Sequence, residues 1–445
     1  MVFKNREQLI SNGHTPPLQH KREDILEILT AALEAVNPYN AVHHVLQKKT
    51  LVFDSESIDL SSFEHIYLVG FGKASVGMAQ AVCDHIAVTK GIVITNDSEA
   101  VLKSSTVEVV VGGHPLPNKG SINGAEKILS VIDSVGKQDL VLVLISGGGS
   151  ALLCNPRVSL GDLQQTTDLL LRSGADINEI NTIRKHLSYV KGGQLAAASK
   201  GVVVSLVISD IVGDPLEFIA SGPTCADSTT FSDAKNLLER YKLWEKIPTD
   251  VQTVLSAGIA GQIDETPKKN DPRLTQVFNY IVANNDYACK AALEKAENIG
   301  YKTKLLTTSL TGEARDIGRY LVEKAKKYSA EQSNIVCIAG GETTVTIHGD
   351  GKGGRNQEMV LSAVHSIADS SLVFASFATD GVDGSSDAAG ALADGYTLLR
   401  AKQIGLDPTH FLINNNSNEF FRTLNDVLIT GPSGTNVMDI QIIIG

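Results

Sequence analysis

The chain has 445 residues, 42% of them hydrophobic and 20% charged, which is material for two or three globular domains of about 150 residues each. Its formal charge of −11 argues against nucleic acid or an anionic membrane as the main partner, and its longest apolar runs, LVLVLI and GVVVSLVI, are too short to cross a bilayer. Five scattered cysteines without CxxC spacing speak against a disulfide frame or a zinc site and read as reduced thiols of a cytoplasmic protein.

The leading segment MVFKNREQLISNGHTPPLQ has no apolar signal core, so no cleaved targeting peptide is expected. Apolar residues at helical spacing over Arg22–Val36 predict a helix that stops at Asn37-Pro38. Short continuous apolar runs come next, at Ile66–Val69, Ile92–Thr95, Val107–Val111, Leu140–Ile145 and Val202–Ile208. Such runs read as strands buried on both faces of a parallel sheet. Helical segments at Ala74–His85, Asn123–Ser134 and Leu160–Ser173 separate several of them, so the first part of the chain reads as a doubly wound α/β layer.

The polar stretch Pro248–Pro272 is the expected domain boundary. The βα alternation restarts after it with Tyr280–Ala283, a helix to Asn298, Thr303–Thr307, a helix over Glu313–Lys327, and Ile335–Ala339. At the end, Val427–Thr430 and Met438–Ile444 flank GPSGTN and predict an antiparallel strand pair. The expected division is therefore 1–275 and 276–445.

The chemistry is read from the loops at the carboxyl ends of the strands, because open α/β sheets bind ligands there. LISGGGSALL places Gly147, Gly148 and Gly149 between Ser146 and Ser150. Successive backbone N–H groups there can form an anion nest; a plain tight turn is the alternative. GFGKAS places Lys73 at a helix start, where a cation is unfavourable unless an anion lies beside it. No Walker A motif occurs, and GxGxxG is broken in this segment.

Asp210 and Asp214 lie just past one buried strand, and Asp380 and Asp383 lie in ATDGVDGSSD. Carboxylates at strand ends suit Mg²⁺, while Asx turns account for them equally simply. Arg355, in GKGGRNQEM, is a second cation at a helix start, suited to a carboxylate or a phosphate or else to an ion pair with Glu342. His114, in GGHPLPNKGS, is a candidate base in a segment that a rigid turn also explains. Arg184 and Lys191, in INTIRKHLSYVKGG, either line an anionic cleft or form a solvated basic face.

Together VGFGKAS, GGHPLPNKGS, LISGGGSALL, INTIRKHLS, VISDIVGDPLEFIASGPT, AGGETTVTI, GKGGRNQEMVLSA and ATDGVDGSSDAAGA resemble the glycerate 2-kinase family, in family order from about residue 22 to the end. The resemblance implies an α/β protein of two domains, an N-terminal Rossmann-like parallel sheet and a smaller C-terminal MOFRL domain with a mixed sheet, and an active site in the cleft between them. It implies Lys73 and Arg355 as active-site cations, Gly147–Gly149 as the nucleotide-binding loop, and phosphorylation of D-glycerate by ATP. The strand-end positions, read apart from the resemblance, give Asp210 as the favoured proton acceptor and Mg²⁺ on some of Asp210, Asp214, Asp380 and Asp383. The turn that usually continues with Asp in the family has Asn118 here. A small-molecule substrate and ATP are the expected partners, and association into a homo-oligomer is left open. A hydroxypyruvate reductase and a non-catalytic nucleotide- or sugar-acid-binding protein are the rival readings; the first lacks a dinucleotide fingerprint, and the second would favour loss of Lys73 or Arg355.

Overall fold

A computed structural model describes residues 2–53 and 56–445. The chain forms two compact units, Pro38–Val282 and a second built from residues up to Asn37 together with Ala283–Gly445.

In the first unit six strands form one sheet: β1 (Ile66–Phe71), β2 (Lys90–Thr95), β3 (Val107–Val111), β4 (Leu140–Ile145), β5 (Val202–Ile208) and β6 (Val277–Ala283). Their spatial order is β3-β2-β1-β4-β5-β6, with β1 to β5 parallel. All six residues of β4 are buried, which is why that strand reads as an unbroken apolar run and takes a central place. Helices α1 (Ser75–His85) and α2 (Lys119–Asp133) come after β1 and β3. The start of α2 lies four residues ahead of the sequence expectation because Asn118 caps it, accepting from Ser121 N at 3.0 Å. Asn118 thus does in this chain what an Asp there would also do.

The strand order reverses between β1 and β4. That is the topological switch point, where two loops leave the sheet in opposite directions and open a crevice between them. The loop after β1 carries Lys73, and the loop after β4 carries Gly147–Gly149.

The second unit contains β7 (Lys302–Leu310), β8 (Ile335–Gly341), β9 (Val373–Ala378), β10 (Gly390–Asp394), β11 (Val427–Leu428) and β12 (Asp439–Ile444) in the order β7-β8-β12-β9-β10-β11. Only β7 and β8 pair in parallel; β12 runs antiparallel to both of its neighbours. Helices α3 (Asn285–Asn298), α4 (Ala314–Glu331) and α5 (Arg355–Ile367) cover this mixed sheet.

Three expectations need correction. The terminal strands do not pair with each other: β9 and β10 lie between β12 and β11. Every residue of β12 is buried, so DIQIII inserts into the middle of the sheet and does not close an edge hairpin. The boundary lies near residue 282, because Pro248–Pro272 belongs to the first unit. Val251 and Leu255 of the helix Thr249–Ile259 are buried beside Phe231 and Leu163, and Thr266 Oγ1 donates to the buried Asp227 at 3.0 Å. Finally, residues up to Asn37 belong with the C-terminal segment. The helix Pro16–Ala35 packs its apolar face on α3 and sends the fully buried Arg22 to Asp394 at 2.6 Å and Asp426 at 2.7 Å. All five cysteines are free.

Candidate active site

At the switch point β1 and β4 end side by side, with Phe71 in register with Ile145. The two loops are then tied to each other. Lys73 N donates to Gly147 O at 2.9 Å, and Ala74 N donates to Ser146 Oγ at 3.0 Å. Gly72 makes this approach possible. Its φ is +127°, and a Cβ there would fall 2.1 Å from Ser146 Oγ and 2.5 Å from Ser146 O. Ser146 is thereby spent on fixing the crevice.

The three glycines are packed on every side. A Cβ on Gly147 would meet Asp210 Oδ2 at 2.2 Å, one on Gly148 the His114 ring at 2.9 Å, and one on Gly149 the Ala220 Cβ at 2.8 Å. Gly148 has φ +82° and begins the short helix Gly149–Leu152. Gly149 N donates to Ser146 O, whereas the N–H groups of Gly147, Gly148 and Ser150 find no acceptor among the described residues. Gly147 is buried, so its free N–H is costly unless an anion or water meets it.

Four groups surround these amides. Lys73 is exposed, and its ammonium has no acceptor among the described residues; its Cγ lies 3.4 Å from where a Gly148 Cβ would stand. His114 stays open to solvent, and partial desolvation together with the Lys73 charge lowers its pKa, which favours the neutral imidazole. Asp210 lies against Gly147. Ser150 shares a 2.7 Å hydrogen bond with Ser221 Oγ, which also donates to Asn181 Oδ1 at 3.2 Å. Ser221 and its neighbour Ala220 both have left-handed backbones, φ +64° and +52°. Non-glycine residues hold that conformation at a cost of about 1–3 kcal/mol each, here beside the crevice. Asp214, φ +53°, lies four residues beyond Asp210 in the same loop.

Arg184 and Lys191 adjoin the same loop. The helix Ile177–His186 ends before Lys191, so the two are not on one helix face. Lys191 is buried, donates to Ser150 O at 2.6 Å and Leu153 O at 3.1 Å, and has its pKa lowered to about 8 by desolvation. Between them, Lys185 and His186 are buried in a network with Asp227 and Glu265, so half of this basic segment is structural.

The second unit holds the other candidates at the ends of β8 and β9. Arg355 begins α5, and its guanidinium grips Asp439 in a fork at 2.5 and 2.9 Å while meeting Glu342 at 2.9 Å. The ion pair with Glu342 is therefore formed, and Arg355 remains 30% exposed. Burial alone would lower its pKa; Asp439 and Glu342 outweigh this and hold it up. Burial pushes the Asp439 carboxyl up to about 6 against the pull of Arg355. Asp380 lies near Glu342, whose carboxyl is raised by desolvation and then by Asp439 and Asp380.

Asp383 does not fit the metal role expected for it. Both of its oxygens are taken at the start of α5, Oδ1 by Asn356 N at 3.0 Å and Asn356 Nδ2 at 3.3 Å, Oδ2 by Gln357 N and Gln357 Nε2, each at 2.9 Å. It caps that helix from a distance in sequence. Glu358 is likewise spent on Arg315 and Asn415. The expected set of four aspartates is split, two in each unit. Among the described residues the one three-ligand cluster is Glu64, His65 and Asp139, at the opposite, amino-terminal ends of β1 and β4.

The donors at the crevice fit the phosphates of a nucleotide, with amides and an ammonium unpaired among the described residues, and Asp210 beside them is a carboxylate that could hold Mg²⁺. Within the second unit, Glu342 and Asp380 offer carboxylates, but Arg355 neutralises part of the Glu342 charge.

The matching family models are a domain of unknown function, DUF4147, over residues 24–256 and the MOFRL family over residues 335–439. The chain is 42% identical to a glycerate 2-kinase of Pyrococcus horikoshii, over 95% of this chain and 97% of that one. A crystal structure of a Thermotoga maritima glycerate kinase superposes with a TM-score of 0.87 at 36% identity, covering 96% of this chain and 99% of that one. A putative hydroxypyruvate reductase of Agrobacterium vitis is 40% identical over 85% of this chain and 86% of its own. Fold and relatives define an α/β phosphotransferase with a glycine-rich crevice at its switch point. The chain belongs to the glycerate kinase family.

Proposed function

We propose that this protein transfers the γ-phosphoryl group of ATP to the 2-hydroxyl of D-glycerate. The observation that carries the reading is the switch-point nest: the N–H groups of Gly147, Gly148 and Ser150, next to Lys73, all without an acceptor among the described residues. The named activity of the relatives supports it.

Phosphoryl transfer through a loose transition state asks the protein for position and charge neutralisation more than for covalent chemistry. The amides of Gly147, Gly148 and Ser150 bind phosphate oxygens and, being fixed by the Lys73–Gly147 and Ala74–Ser146 ties, need no rearrangement to do so. Lys73 neutralises charge on the group in transfer. Asp210, with Asp214 in the same loop, would hold Mg²⁺, which when bound supplies further neutralisation of the phosphates. Asp210 and His114 flank the nest and are the two groups able to accept the hydroxyl proton. Arg355 is assigned to anion binding within its own unit, its fork fixed by Asp439; Arg355→Lys, which keeps the charge but loses the fork, tests it by turnover.

The reductase name of one relative finds less support here, because the turn after β1 carries Ser75 where a dinucleotide fingerprint would place its third glycine. The test is incubation with D-glycerate and MgATP coupled to enolase without a mutase. Immediate formation of phosphoenolpyruvate is expected. Product that enolase accepts only after mutase is added would mean 3-phosphoglycerate and defeat the assignment.

A further inference from the structure

Beside the nest the first unit has a small, partly enclosed pocket lined by Ser150, Arg184, Ser188 and Lys191 with Leu116 and Leu163 among its apolar walls. No carboxylate is in the lining. Arg184 projects from the helix Ile177–His186 and is only partly exposed. Its guanidinium makes no hydrogen bond or ion pair among the described residues, and desolvation lowers its pKa. Lys191, 3% exposed, spends two donors on the carbonyls of Ser150 and Leu153 and has no carboxylate partner either.

Two cations withdrawn from water without a counter-charge are unfavourable, and proteins pair such groups or use them to bind an anion. We propose that this pocket binds the carboxylate of the acceptor acid, with Arg184 as its planar fork and Lys191 as a second cation. The assignment rests on the reading of the chain as a kinase of a small hydroxy acid. It deepens that reading by placing the acid next to Ser150, the residue the pocket shares with the nest. A guanidinium matches a carboxylate with two parallel hydrogen bonds. Nucleotide phosphates arrive with Mg²⁺, which prefers carboxylate oxygen. A pocket without acidic residues suits the metal-free anion, and Asp210 stands on the phosphate side, against Gly147.

The test compares wild type with Arg184→Met and Arg184→Lys. The readouts are KM for D-glycerate and for ATP, the ratio of kcat/KM for D-glycerate over glycerol, calorimetric binding of D-glycerate, and Tm. For Arg184→Met the KM for D-glycerate should rise on the order of 10²-fold, with the KM for ATP within about threefold of wild type. Preference over glycerol should fall by a similar factor, and Tm should stay at or above wild type because an unpaired desolvated charge has been removed. Arg184→Lys should recover part of the affinity. An unchanged KM for D-glycerate, a rise confined to ATP, or a large fall in Tm would overturn the assignment. If wild type does not turn over D-glycerate, the kinase reading falls on that arm alone. Calorimetric binding abolished in Arg184→Met would still uphold the pocket, and absence of binding by wild type would overturn it.

Discussion

Replacing Lys73 by Ala separates catalysis from folding. The ammonium is exposed and has no acceptor among the described residues, while the backbone N–H that ties Lys73 to Gly147 is untouched by the change. Its charge lies at the start of α1, where a cation is disfavoured, so removal should leave stability unchanged or raise it by about 0.3–1 kcal/mol. The catalytic effect should be far larger. Loss of one preorganised donor to a developing charge costs about 2.7–4 kcal/mol, or 10²–10³ in rate. A coupled assay gives kcat/KM, calorimetry gives Tm, and a histidine NMR titration gives a third readout. Lys73 helps to depress the His114 pKa, so that pKa should move up in Lys73→Ala. Wild-type turnover would refute the role, and a collapsed Tm would show that the side chain holds the fold together.

Gly148→Ala forces a left-handed φ on alanine, about 1–2 kcal/mol, and presses a methyl on the His114 ring; urea titration should show this modest loss beside a severe loss of turnover. Arg22→Met leaves Asp394 and Asp426 buried without their shared cation, and should destabilise the second unit by about 3–5 kcal/mol in denaturant melts. Burial brings the Lys191 pKa down to about 8 in the fold, with Cys154 raising it and Arg184 lowering it further, against 10.5 when unfolded. The unfolded chain therefore binds more protons between these values, and stability should rise with pH across that window, by about 3 kcal/mol in total for this group. Unfolding in urea at pH 7 and pH 9.5 checks this, and the slope assigned to Lys191 should vanish in Lys191→Met.

Much of the first sheet was legible because β1, β2, β4 and β5 are buried on both faces, leaving unbroken apolar runs. The glycine clusters were legible too, because close approach of Gly72 to Ser146 and of Gly147 to Asp210 admits no side chain. What sequence could not give was contact between distant segments. The polar stretch near Thr266 looks like a linker until Asp227 is seen to accept from Thr266 and His186 to donate to Glu265. Arg22 gives no sign that Asp394 and Asp426 await it. Asp383 resembles a metal ligand in ATDGVDG because its capping of α5, 27 residues away, has no local signature. His114 had only its place in a proline-rich turn to mark it, and its position against Gly148 emerged only in three dimensions.

The nest itself is tested most directly by a crystal structure of the protein with MgADP and D-glycerate. Phosphate oxygens within about 2.7–3.2 Å of the amide nitrogens of Gly147, Gly148 and Ser150, with Lys73 Nζ reaching the phosphate side, are the predicted result. Nucleotide phosphates bound elsewhere, with those three amides facing only water, would contradict the account.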